Sequence, residues 1–198
     1  MLRTTNATLL RLAAWVSGLG HPLLTAVVFV VIMTFYLLDA RTATWIAGGV
    51  VIGVILPIAL WNYRQTRTGA YSNFDVSVRE QRRSFYPRLI GLLATATALT
   101  VVLPTAAALR NGMGLVCLML VACFAVNFYL KVSLHAAWSF FLASAVYLMH
   151  PGWGIVALSA AGLIAASRLV LGRHTVAELV VGAAIGLATG GVLSRMFG

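Results

Sequence analysis

Between Val132 and Ser167 the chain reads VSLHAAWSFFLASAVYLMHPGWGIVALSAAGLIAAS, without one Asp, Glu, Lys or Arg. A helix needs about 20 apolar residues to cross the hydrocarbon core of a bilayer. This run is too long for one crossing, and His150-Pro151-Gly152-Trp153-Gly154 interrupts it with turn residues. It therefore reads as two antiparallel membrane helices. Further uncharged stretches run over 12–38, 42–63, 89–109, 111–130 and 179–194. Together they predict an all-α, multi-pass transmembrane bundle, with helices near 22–38, 43–61, 88–109, 112–130, 134–149, 153–171 and 175–196. The count is seven, or six if the short 134–149 segment does not cross.

The composition agrees. Of the 198 residues 61% are apolar and only 9% charged, with a mean hydropathy of +0.96. Soluble domains carry about 25% charged residues. A soluble globular domain, a disordered tail and a nucleic-acid binder with a basic surface are all excluded, and the net charge of +10 belongs to a membrane setting. Residues 1–20, with Arg3, Arg11, Leu2, Leu9, Leu10, Leu12 and Trp15, resemble an interfacial amphipathic helix ahead of a transmembrane domain over 21–198. No small-residue cleavage site follows the first apolar run, so a removed signal peptide is not expected. Cys117 and Cys123, six apart on one helix, cannot face each other. Gly182, Gly186 and Gly190 form a double G-x-x-x-G in the last helix, the pattern of close helix packing.

Ionisable residues near membrane depth are costly and mark function. Three clusters stand out: Asp75 to Pro87, with Arg79, Glu80, Arg82 and Arg83; Lys131 to His135; and Ser167 to Glu178, with Arg168, Arg173 and His174. Two helices separate each cluster from the next, so an even number of crossings returns all three to one face. His174 and Glu178, at i and i+4, share a helix face, where the carboxylate can hold the Nδ1 proton and leave Nε2 as nucleophile or base. His135 adds a second imidazole. The surrounding cations suit a phosphorylated substrate, since guanidinium forks match phosphate oxygens. A zinc site is the chemical rival, but no H-E-x-x-H or cysteine pair supports it and the cations would repel a metal. His21 and His150, each before a proline, read as span-boundary residues.

At these residues the sequence resembles the type-2 phosphatidic acid phosphatase superfamily of membrane lipid phosphatases, whose motifs are K-x6-R-P, P-S-G-H and S-R-x5-H-x3-D. Ser167-Arg168, His174 and Glu178 match the third, with Glu for Asp. Val132-Ser133-Leu134-His135 keep Ser and His of the second. Arg79 and Tyr86-Pro87 match the first, with Arg for Lys and Tyr for the second Arg. The likeness covers about 75–190 and implies the family's helical fold without metal or other cofactor. It implies that His174 attacks phosphorus to form a phosphohistidine, that Glu178 orients it, and that His135 protonates the leaving alkoxide and then activates water. Arg79, Arg168, Ser133 and the backbone N–H near Leu134 would hold phosphate oxygens. Tyr86 offers one hydrogen bond where the family has a cation. Arg82 and Arg83 follow Arg79 at i+3 and i+4, and either Arg83 or Lys131 is expected to replace the missing charge.

The implied substrate is a lipid phosphate in the bilayer: phosphatidate, phosphatidylglycerophosphate or a polyprenyl phosphate or diphosphate. Nucleic acid is not a partner, and the oligomeric state is left open. The alternative is a non-catalytic membrane protein of the same fold that binds anionic lipid headgroups; a transporter fits less well, because the charges cluster at one face rather than at midplane. Eleven of the 14 basic residues (Arg3, Arg11, Arg64, Arg67, Arg79, Arg82, Arg83, Arg88, Lys131, Arg168 and Arg173) fall on the expected active face, against Arg41, Arg110 and Arg195 on the other. Setting aside five of these as phosphate ligands leaves six against three. By the positive-inside rule the active face then points to the cytoplasm, as in an integral protein of a bacterial cytoplasmic membrane.

Overall fold

The computed structural model describes residues 6–102 and 107–197. Leu2 and Arg3 lie outside the described residues. The elements are α1 (Ala7–Leu19), α2 (Pro22–Leu37), α3 (Ala40–Val50), a π-helical turn (Val51–Ile55), α4 (Leu56–Arg67), α5 (Arg82–Val102), α6 (Ala107–Asn127), α7 (Leu134–Met149), α8 (Pro151–Val170) and α9 (Val176–Phe197). No strand occurs among the described residues.

Helices stand near the seven expected positions, but residues 103–106 of the expected 88–109 helix lie outside the described residues, and 107–109 with Arg110 belong to α6 rather than to the end of the helix before it. Four single helices and the continuous α3–π–α4 segment (Ala40–Arg67) are each long and apolar enough to cross a membrane. The pair α1 and α2 passes the same test only when taken together, which makes five spans or six. α7, with 16 residues, is apolar but shorter than a full crossing. Trp15, Trp45 and Val102 are 72%, 76% and 78% exposed, an arrangement suited to lipid rather than water. These features describe a multi-pass integral membrane protein.

The helix starts are written locally. Asn6 accepts from the Thr8 N–H, Asp39 from Arg41 and Thr42, Ser133 from Ala136, and His150 Nδ1 from Trp153, each capping the helix that follows. Hydrogen bonds from Thr42 hold the Asp39 carboxyl below the usual carboxylate range. The π turn precedes Pro57, whose ring would collide with the carbonyl four residues back, at Gly53, in a regular helix. The polar connection between the helices expected at 43–61 and 88–109 is shorter than that gap, at 68–81. Asn62 explains part of this: it is buried and donates to the Phe74 carbonyl at 3.3 Å, so the helix keeps its register beyond the apolar run.

The chain forms two compact units. In the first, residues 6–25 with 130–197, α7 packs on both α8 and α9, and α1 on α8. The glycine stripe of α9 explains the closest of these contacts. A methyl at Gly182 would come within 2.6 Å of the Ser133 carbonyl oxygen, one at Gly186 would collide with the Ala137 carbonyl, and one at Gly190 with the Ser144 side chain. In the second, residues 26–102 with 107–129, α5 packs on α6 and on the π turn. Cys117 and Cys123 on α6 are both free.

Gly186→Ala should therefore destabilise the fold by about 1–3 kcal/mol, the usual range for overpacking. Gly191→Ala, which meets nothing within 4 Å, should not. Thermal unfolding of the two variants in detergent distinguishes them, and equal melting temperatures would contradict the packing described.

Candidate functional site

The second and third motifs meet in the first unit. α7 begins at Leu134, immediately after its cap Ser133, and α9 begins at Val176, after Arg173-His174-Thr175. The Ser133 N–H donates to the Glu178 carbonyl at 3.2 Å, tying the two helix starts together. The two-helix separation of these clusters thus returns the chain to one end, as the crossing argument requires. Glu178 lies in the first turn of α9 and Arg195 in its last, so these two charges sit at opposite ends of one span.

His174 Nδ1 lies 2.7 Å from Glu178 Oε2, the i,i+4 pair anticipated from spacing. The same oxygen accepts the Thr175 N–H at 3.2 Å and stands 3.6 Å from Lys131 Nζ. The Glu178 N–H in turn donates to Thr175 Oγ1 at 3.3 Å. This is a reciprocal capping box, Thr at the cap and Glu three positions on. With the proton on Nδ1 shared with the carboxylate, Nε2 carries the lone pair.

Lys131 also donates to the Arg173 carbonyl at 2.9 Å. Its charge is therefore partly spent on Glu178 and on the loop that carries His174. Gly172, at φ +63°, makes the turn between Arg168 and that loop, a conformation natural to glycine. Arg168 is almost fully buried at the end of α8, and its Nη1 donates to Ser17 Oγ at 2.6 Å. His135 is buried in the first turn of α7, its ring perpendicular to that of His21 with centroids 5.3 Å apart. Leu134, where the family motif has glycine, opens an ordinary helix and needs no left-handed backbone. The first N–H groups of α7 have no acceptor within their own helix, and a helix N-terminus suits an anion.

The first motif lies in the second unit. Arg79 precedes α5 rather than lying on it, and its carbonyl accepts the Arg82 N–H at 3.2 Å. Its Nη1 donates to the Tyr129 carbonyl at 3.0 Å and its Nε is 3.5 Å from Glu80. The Glu80 backbone N–H, and then Arg79 beside it, hold that carboxyl below the usual carboxylate range. Arg83 is exposed, with its guanidinium 5.8 Å from the Phe128 ring. Arg82 is the buried cation of this cluster, with Nε donating to the Val76 carbonyl at 2.8 Å. Tyr86 is fully buried, stacked on Phe124 at 5.4 Å.

The sequence reading did not place Ser17, His21 or Thr175 at the site. The signal available for the first two was their i,i+4 spacing at the end of an apolar helix. His150 is a helix cap, as its position before proline suggested, and His21 caps α2 by accepting from the Leu23 N–H at 3.2 Å. Comparison with protein-family models, with curated proteins and with solved structures gives no match.

Thr175→Ala removes the capping hydroxyl and should cost about 1 kcal/mol of stability, with Thr175→Ser close to wild type. Thermal melts of the two variants test this; an unchanged melt for Thr175→Ala would mean that the capping box contributes nothing.

Proposed function

We propose that the chain is a metal-independent lipid phosphatase of the type-2 phosphatidic acid phosphatase kind, acting through a phosphohistidine. The observation that carries the reading is the His174–Glu178 pair at 2.7 Å, joined through α7 and α9 to a buried second imidazole, His135. A headgroup-binding protein needs cations, but not a histidine with a fixed tautomer.

In the proposed reaction His174 Nε2 attacks phosphorus, forming an N–P bond as the P–O bond to the lipid breaks. His135 gives its proton to the leaving oxygen. The neutral His135 then takes a proton from water, which attacks the phosphohistidine and releases phosphate and His174. Glu178 stabilises the positive charge that develops on His174. Arg168 and the N-terminus of α7 with Ser133 and Leu134 are the groups assigned to the phosphate oxygens, and the resemblance alone adds Arg79 of the first motif. Arg83 or Lys131 is the candidate for the missing cation of the first motif. The substrate is a phosphatidate, phosphatidylglycerophosphate or polyprenyl phosphate or diphosphate type of lipid.

A second reading has its own support. Tyr86 is enclosed by aromatic rings, and Arg79 is already engaged by Glu80 and the Tyr129 carbonyl. A first motif so occupied suits a protein that binds anionic headgroups without turnover.

Phosphate release in detergent micelles containing EDTA separates the two. Wild type should hydrolyse at least one of these lipids, His174→Ala should be inactive, and Glu178→Gln should lose roughly 10²–10⁴-fold in kcat, the range of general acid–base and tautomer effects. A folded wild type that releases no phosphate from any of them selects the binding reading.

The active face is proposed to be cytoplasmic, from the excess of Arg and Lys on that side. With Cys117 and Cys123 replaced by alanine, a cysteine at Thr68, exposed just after α4, should be shielded from a membrane-impermeant thiol reagent in intact cells and labelled in inside-out vesicles. Labelling in intact cells would reverse the assignment.

A further inference from the structure

The phosphatase-like residues begin near position 75, yet in the first unit the end of α1 and the start of α2 lie directly on the second and third motifs. Ser17 is 5% exposed and accepts from Arg168 Nη1 at 2.6 Å. Gly20 is pressed so closely on α8 that any Cβ there would collide with the Ile164 side chain. His21, four residues after Ser17, packs its ring perpendicular to that of His135, with centroids 5.3 Å apart and an interplanar angle of 89°. Thr25, four further on, accepts from Trp138 Nε1 at 2.9 Å, and its hydroxyl donates to the His21 carbonyl at 3.1 Å. Three successive i,i+4 positions therefore touch α8, His135 and α7.

We propose that this segment is a built part of the site, with Ser17 positioning the Arg168 guanidinium and His21 positioning the His135 ring. The inference rests on the phosphatase reading. The physical reason lies in the freedom of an arginine side chain. Arg168 has five N–H donors on a long flexible stem, and an oxyanion ligand acts in proportion to how well it is aimed before the reaction. A hydrogen bond from Nη1 to a buried hydroxyl restrains the guanidinium and narrows the directions in which the group can point. Serine suits the place because its hydroxyl accepts from the cation without bringing a charge that would neutralise it. A carboxylate there would bind Arg168 more strongly and take it from the phosphate. His21 does the corresponding work on His135 through ring shape, while its Nδ1 is held by the Leu23 N–H. Neither residue touches the reacting atoms in this account; both act through the residues they aim.

The test uses the full chain in detergent, with steady-state hydrolysis of the preferred lipid and inhibition by orthovanadate, a phosphate analogue that mimics the five-coordinate state. Loss of a hydrogen bond to a charged group predicts that Ser17→Ala weakens vanadate inhibition and lowers kcat/KM about tenfold or more. Ser17→Thr should restore both, and exposed Leu12→Ala on the same helix should behave as wild type. His21→Asn keeps an acceptor for the Leu23 N–H but removes the ring, and should lower kcat several-fold with KM unchanged. The inference is overturned if Ser17→Ala matches wild type in vanadate inhibition and kcat/KM. It is also overturned if the losses in Ser17→Ala and His21→Asn only track a lowered melting temperature and Ser17→Thr gives no rescue. A wild type that neither hydrolyses lipid nor binds vanadate would instead remove the phosphatase reading, and this inference with it.

Discussion

The close approach of α9 to α7 is the constraint from which the site follows. Gly182, Gly186 and Gly190 bring one helix against the backbone of the other, so that the carbonyls of Ser133 and Ala137 lie where side chains would otherwise stand. In lipid, helices gain little from burying apolar surface against each other, and close backbone packing supplies the association instead. Because the stripe starts one turn after Glu178, the same contact fixes the two helix starts in register. The Ser133 N–H reaches the Glu178 carbonyl, so the start of α7, which carries His135, is tied to the start of α9, just before which stands His174, and both imidazoles are buried. Side chains larger than glycine would separate the helix starts along with the helices.

The buried cation at the end of α8 poses a second problem. Removing a guanidinium from water is costly, and its compensation must come from oriented groups nearby. Ser17 supplies one acceptor from the N-terminal helix, so α1 packs on α8 for a reason that its apolar composition does not reveal. That helix presents Ala13 and Ser17 inward and Leu9, Leu12, Trp15 and Leu19 outward, as expected for a segment whose larger apolar side faces lipid.

Much of the architecture is legible in the spacing of charges, because an apolar run long enough to cross a bilayer is a one-dimensional signal. The helix positions follow from it, while the turn at His150-Pro151 and the close packing of the glycine stripe are marked by residue type, proline with glycine in the one and a four-residue glycine repeat in the other. Helix ends are less legible: α4 runs on to Arg67 because Asn62 is held by the Phe74 carbonyl, a contact between residues twelve apart. Within the site, the His174–Glu178 pair is readable since an i,i+4 contact is local. Lys131 with Glu178 needs the return of two helices to one end, which the crossing count supplies. Ser17 with Arg168 spans 151 positions, and no local pattern marks it. Arg82 illustrates the other difficulty. Three arginines within five residues look equivalent in sequence, and only packing against Val76 makes one of them the buried cation.

Glutamate at position 178, where the resembled motif has aspartate, has a local explanation. A residue at the third helical position that must reach back to the chain entering the helix is best served by the longer side chain, as in the Thr-x-x-Glu capping box. Here Glu178 Oε2 takes the Thr175 N–H at 3.2 Å while standing 2.7 Å from His174 Nδ1 and 3.6 Å from Lys131 Nζ. One oxygen thus starts the helix, orients the imidazole and balances a cation. Aspartate, one methylene shorter, would have to draw the loop inward to meet the same partners. The loop is already tied to Arg168 by the Arg173 N–H, at 3.0 Å from the Arg168 carbonyl, and to Lys131 by the Arg173 carbonyl. With the backbone held at both points, the extra length in the side chain is what lets the carboxylate reach the histidine.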